Sequence, residues 1–153
     1  MNGKNEVFIT CLMGLVLSIL GSVLPWGKRL YLPIMGSAYY IGLEPWKVDS
    51  VLGIELTLGR YAFVGAIVAT VSLGILRVWR KKYAVVFVLA GGLTTLLCSL
   101  LWILRPGFLE PLSFIKFTAS YGAYISLSGG LITLIGCVLN FLSERRGFAL
   151  ARS

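Results

Sequence analysis

Residues 121–140 read YGAYISLSGGLITLIGCVLN, almost wholly apolar, yet four of the twenty are glycine. Glycine is a poor helix former in water, costing about 1 kcal/mol against alanine. A hydrocarbon solvent changes the balance, because only a helix satisfies its own backbone groups there. The segment is therefore read as a membrane-spanning helix whose missing side chains let a neighbouring backbone approach.

The rest of the chain agrees. Of 153 residues, 58% are hydrophobic and 13% charged, and the mean hydropathy is +0.88. A soluble domain carries about a quarter charged residues. Three further segments, 7–24, 61–79 and 83–104, match 121–142 in reaching the roughly 20 apolar residues that cross a bilayer. Apart from Arg77 in the last turn of the second, the four contain no charged residue. The first run is longer than a usual signal-peptide core and ends in Leu24-Pro25-Trp26 rather than at a small-residue cleavage site. It is therefore read as a span. The fold expected is an all-α membrane protein, a four-helix bundle forming one domain over 1–153.

The net charge of +8 is distributed by topology. Lys4, then Arg77, Arg80, Lys81 and Lys82, then Arg145, Arg146 and Arg152 fall in segments that share one side. On the other side, Lys28, Arg29, Lys47, Arg60, Arg105 and Lys116 are diluted by Glu44, Asp49, Glu55 and Glu110. The positive-inside rule then puts both termini and the Arg77–Lys82 turn in the cytoplasm of a cell-membrane protein. The same cations attract anionic lipid heads, so membrane lipids are expected partners and nucleic acid is not.

The first outer loop, 25–60, is rich in aromatic and aliphatic residues. Leu52, Ile54, Leu56 and Leu58 alternate as in a half-buried strand, and 37–43 is a second candidate, bounded by Gly36 and Glu44-Pro45. A small antiparallel sheet or hairpin over the outer helix ends is expected, with a helical turn near 45–51. Trp26, Tyr39, Tyr40 and Trp46 are candidate contacts for a partner. Trp26, Tyr61, Trp79, Tyr83, Trp102 and Tyr121 sit at span ends, where an aromatic belt forms at headgroup level.

Small residues recur every four positions, which places them on one helix face. Gly122, Ser126 and Gly130 form one stripe, and Gly129, Thr133 and Cys137 form another. Gly14, Ser18 and Ser22 match them in the first span, Ala62, Ala66, Thr70 and Gly74 in the second, and Gly91, Thr95 and Ser99 in the third. Close packing is the main source of helix association in lipid.

Cofactor and metal chemistry finds little to build on. Histidine is lacking, and Cys11, Cys98 and Cys137 lie singly in apolar runs, where small packing roles suit them. Neither a P-loop nor G-x-G-x-x-G occurs, and the six acidic residues show no spacing for acid–base work. The reading is a non-enzymatic structural or accessory subunit, associating with other membrane proteins or with itself through its outer loop and its small-residue helix faces. The alternative is a small channel or carrier lined by Thr70, Ser72, Thr94, Thr95, Ser99, Ser126, Ser128 and Asn140.

Leu24-Pro25-Trp26, Gly53-Ile54-Glu55 and the YGAYISLSGG of 121–130 together resemble a pattern in small four-helix membrane proteins of bacteria and archaea. That resemblance implies architecture, since no activity is established for the group. The topology, with Trp26 and the Gly42-Leu43-Glu44-Pro45-Trp46 stretch, also resembles the claudin-like tetraspans, whose first outer loop forms a sheet. The paired loop cysteines of claudins are missing here, and the likeness is one of shape.

Overall fold

The computed structural model describes the backbone of residues 3–31, 48–79, 83–109 and 115–150, and side chains over most of that range. Four helices dominate: α1 (Gly3–Val23), α2 (Thr57–Trp79), α3 (Ala84–Leu104) and α4 (Tyr121–Leu150). Each holds a stretch long and apolar enough to cross a membrane, namely Asn5–Val23, Thr57–Val78, Ala84–Leu104 and Tyr121–Leu142. This is the architecture of a multi-pass integral membrane protein. At 1.5 Å per residue, α1 and α3 are about 31 Å long, close to the thickness of the hydrocarbon core. The helices close a ring in chain order, in which α1 packs most extensively on α4, α2 on α3, and α3 on α4. The α1–α2 seam is slighter.

Three strands cover one end of the ring: β1 (Pro25–Tyr31), β2 (Val48–Leu52) and β3 (Ile115–Ala119). Their order is β2-β1-β3, with both pairings antiparallel. Gly27 stands opposite Val51 on one side and Ala119 on the other, and the β1–β2 register shifts between Pro25 and Gly27. The expected sheet over the helix ends is present, but it draws its third strand from the second loop on that side as well as two from the first.

Two local readings are corrected. The alternation at 51–58 is not one strand: β2 stops at Leu52, a 3-10 turn occupies Gly53–Glu55, and α2 starts at Thr57. Gly53 N–H donates to the Leu24 carbonyl at 3.0 Å, and Glu55 accepts from Leu52 N–H at 3.2 Å, so the chain turns where the alternation ran on. Leu56 and Leu58 are buried at the start of a helix. The helical turn expected near 45–51 is instead strand from Val48 onward. The candidate strand 37–43, with Tyr39, Tyr40 and Trp46, and the Arg80–Lys82 part of the basic turn lie outside the described residues.

Helix ends follow local chemistry. After α1, Leu24 N–H reaches back to Leu20 and Gly21 carbonyls, and Pro25 offers no further donor. After α3, Phe108 N–H closes a turn onto the Arg105 carbonyl at 3.1 Å. Pro106 and Gly107 fill its centre, and Gly107 has φ +84°, the pairing a type II turn favours.

Candidate functional site

Two constructions organise the bundle: an aromatic cap under the sheet and glycine seams along the helices. The cap is built on Trp26, the second residue of β1, which is fully buried. Its indole Nε1–H donates to the Gly21 carbonyl at 2.9 Å. Its own carbonyl accepts from Trp102 Nε1–H of α3 and from Ser120 N–H before α4, both at 2.8 Å. One peptide group of β1 is thereby tied to two other helices. Trp102 meets Phe117 of β3 edge-on at 5.5 Å and Trp26 at 6.4 Å. Val51, Leu56, Leu58, Ala62, Cys98 and Ala123 complete this core.

The cap corrects the aromatic belt. Tyr61, Tyr83 and Tyr121 are exposed at span ends, as a belt requires, but Trp26 and Trp102 are buried. Each indole needs a hydrogen-bond acceptor when buried, and the fold supplies backbone carbonyls. Trp26 is therefore an internal post of the cap, with no exposed face to offer a partner. The closeness of the two indoles to backbone explains Gly53 of the resemblance and Gly27 of the loop. A Cβ on Gly53 would lie 2.6 Å from the Trp26 ring, and one on Gly27 would lie 3.1 Å from the Trp102 ring.

The seams answer why two adjacent glycines lie within α4. A Cβ on Gly129 would lie 2.5 Å from the Gly14 carbonyl oxygen and 2.6 Å from Ser18 Oγ, both on α1. One on Gly130 would lie 3.0 Å from Leu96 N and 3.1 Å from the Gly92 carbonyl, both on α3. Successive helical residues point about 100° apart, so the pair serves two neighbours at once. Gly14 in turn faces Thr133, and Gly122 lies against the Pro25 and Leu24 carbonyls.

Between α2 and α3, a Cβ on Gly91 would collide with the Gly65 carbonyl and come within 2.7 Å of Ala69 Cβ. Thr95 Oγ1 lies 2.9 Å from the Gly91 carbonyl and 3.1 Å from the Ala62 carbonyl across the seam. An interhelical bond of this kind contributes about 0.6 kcal/mol. Ala66 is buried and Thr70, half-buried, bonds to its carbonyl. Gly74, the end of the expected α2 stripe, has nothing near it.

Four-residue spacing missed the strongest repeat. On α4, Gly129 and Gly136 touch α1 and Gly122 touches the Leu24-Pro25 link that follows it, and the glycines answering from α1 are Gly14 and Gly21. Both sets repeat every seven residues, the period of a coiled-coil seam. The signal was present in the sequence as a heptad of glycine.

The interior hydroxyls are mostly engaged. Ser18, Ser22, Ser99 and Thr133 each donate to the carbonyl four residues back. Ser126, fully buried against Gly21, has an Oγ with no hydrogen-bond partner. Thr94 and Ser128 lie on the exposed surface and donate to Ala90 and Tyr124 carbonyls of their own helices.

Arg60 Nε donates to the Ile54 carbonyl at 3.0 Å while Glu55 caps Leu52. These two charges, neighbours in sequence, thus serve local backbone. At the opposite end Arg77 donates to Asn5 Oδ1 at 3.2 Å and lies over the Phe8 ring at 5.2 Å, holding α2 to the first turns of α1. No three histidine, cysteine or acidic side chains converge among the described residues. Comparison with family models, with curated proteins and with solved structures gives no match.

Proposed function

We propose that this is a non-enzymatic structural or accessory subunit of the membrane, associating with other membrane proteins or with its own copies through loop 25–60. The observation that carries this reading is the engagement of the interior hydroxyls. Ser18, Ser22, Thr95, Ser99 and Thr133 point their protons at helix carbonyls, which favours a rigid scaffold over a wetted path. Thr94 and Ser128, two of the residues that would line a channel, stand on the outside of the bundle, so one copy has no continuous row of hydroxyls from them to Thr95 and Ser126. Crosslinking in native membranes followed by purification in mild detergent tests the reading. A stable co-purifying protein or a defined oligomer is expected, and a strict monomer with no companion argues against it. Reproducible solute flux in liposomes, blocked by a bulky residue at Ser126 or Gly130, would instead support a channel or carrier.

The orientation proposed puts both termini and the basic turn in the cytoplasm, on the strength of charge asymmetry. With a membrane-impermeant maleimide, Lys81→Cys is expected to react only after cells are permeabilised. Ser50→Cys, at an exposed position of β2, is expected to react on intact cells. The reverse pattern would invert the topology.

A further inference from the structure

Gly74 is the small residue of the α2 stripe that helix packing leaves unused: a Cβ there would meet nothing within 4 Å. It lies three residues before Arg77 and four after Thr70, so the three share one helix face. Arg77 marks what that face borders. Its guanidinium donates to Asn5 Oδ1 at 3.2 Å and lies over the Phe8 ring at 5.2 Å, both on α1. The notch at Gly74 therefore opens beside the slighter α1–α2 seam, about 4.5 Å deeper along α2 than Arg77. Below it Thr70 is half-buried and spends its proton on the Ala66 carbonyl, so the floor of the notch offers no free donor.

The cation above the notch is held but not used up. Asn5 takes one of the several N–H donors of the guanidinium, and the side chain remains exposed. It stands one residue inside the end of the Thr57–Val78 span, where headgroup phosphates meet hydrocarbon. Lys4 and Arg80-Lys81-Lys82 adjoin this end in sequence, and Glu6 is the one acid among its described side chains. A guanidinium pairs with a phosphate in bidentate fashion, and one already fixed by two contacts loses less freedom in doing so. We propose that an anionic phospholipid binds here, its phosphate on Arg77 and one acyl chain lying over Gly74 and Thr70 along the outside of the α1–α2 seam. Charge selects the headgroup, and the missing side chain admits the acyl chain directly beneath it. A free phosphate would satisfy Arg77 without using the notch, and a zwitterionic lipid would bring its own cation against the basic end.

The test titrates the full chain in mild detergent with phosphatidylglycerol and with phosphatidylcholine of identical acyl chains, and counts bound lipids by native mass spectrometry. The first phosphatidylglycerol is expected to bind about tenfold tighter than phosphatidylcholine, the effect of one hydrogen-bonded charge contact. Arg77→Gln and Gly74→Leu are each expected to abolish that preference. Arg105→Gln, removing the arginine that lies over Phe108 at the sheet end, is expected to keep it. Gly74 meets no other part of the fold, so the Gly74→Leu result decides even where Arg77→Gln loosens α1 from α2, and helical circular dichroism checks both variants. Equal binding of the two lipids, or a preference that survives Gly74→Leu or a folded Arg77→Gln, would overturn the site. Displacement of the lipid by an equal concentration of soluble glycerol phosphate would reveal an anion site alone and overturn the acyl-chain seat.

Discussion

Gly129→Leu is expected to abolish the folded bundle, while Gly74→Leu leaves it intact. At position 129 the new side chain meets the Gly14 carbonyl and Ser18 on α1. These are largely backbone atoms of a helix held over its whole length, so no flexible tip can swing aside. Overpacking costs about 1–3 kcal/mol in soluble cores and sometimes more. Here α1 must also move off α4, with loss of neighbouring contacts at Gly14, Gly21 and Gly136. In lipid those contacts are the principal source of association, and the combined loss is on the order of the whole stability of a small domain, about 5 kcal/mol. Gly74 has open space around it, so leucine there adds only lipid-facing surface. Resistance to unfolding in graded SDS, read by gel mobility and helical circular dichroism, separates the two variants. A Gly129→Leu protein as stable as the parent would remove the close seam from the account.

Trp102→Ala is expected to cost about 3–5 kcal/mol, the range for deleting a large buried aromatic. The ring is 1% exposed, packs edge-on to Phe117, and its indole N–H holds the Trp26 carbonyl. Trp102→Phe keeps much of the volume and removes the donor, so about 1 kcal/mol is expected. The Trp26 carbonyl is not orphaned in that variant, because Ser120 N–H still donates to it. Tyr61→Ala, on an exposed tyrosine, is expected to change stability by less than about 0.5 kcal/mol. The same SDS series ranks the three. Equal effects at Trp102 and Tyr61 would mean that the cap contributes no more than a belt residue.

The spans were legible because hydrocarbon leaves few alternatives: a charge-poor run of twenty residues must be a helix there. Their ends were less so. Residues 57–60 were hidden because Leu52, Ile54, Leu56 and Leu58 alternate by chance across a strand, a turn and a helix start, and a short apolar run does not distinguish these. β3 was missed because its partner strand β1 is remote in sequence, and pairing of that kind leaves no local trace. Trp26 and Trp102 were placed in a belt because a span-end tryptophan looks the same in sequence whether it turns outward or inward. What decides is a carbonyl within reach, and that is a property of the assembled fold. Among the small residues, Gly129 and Gly130 were recognised as a packing feature, but the division of their duties between α1 and α3 required the helices in place. Gly74 resembles its neighbours in spacing alone; nothing comes near it.

The pairing of β1 with β3 has a consequence for synthesis. Gly27 must wait for Ala119, and Gly14 for Gly129, so neither the lid nor the ring closes until β3 and α4 have left the ribosome. A nascent chain halted after α3 holds its first helix without its main partner and its central strand half-paired. Closure of this fold therefore waits for α4, and a chain cut before that helix lacks the step that makes the first helix belong.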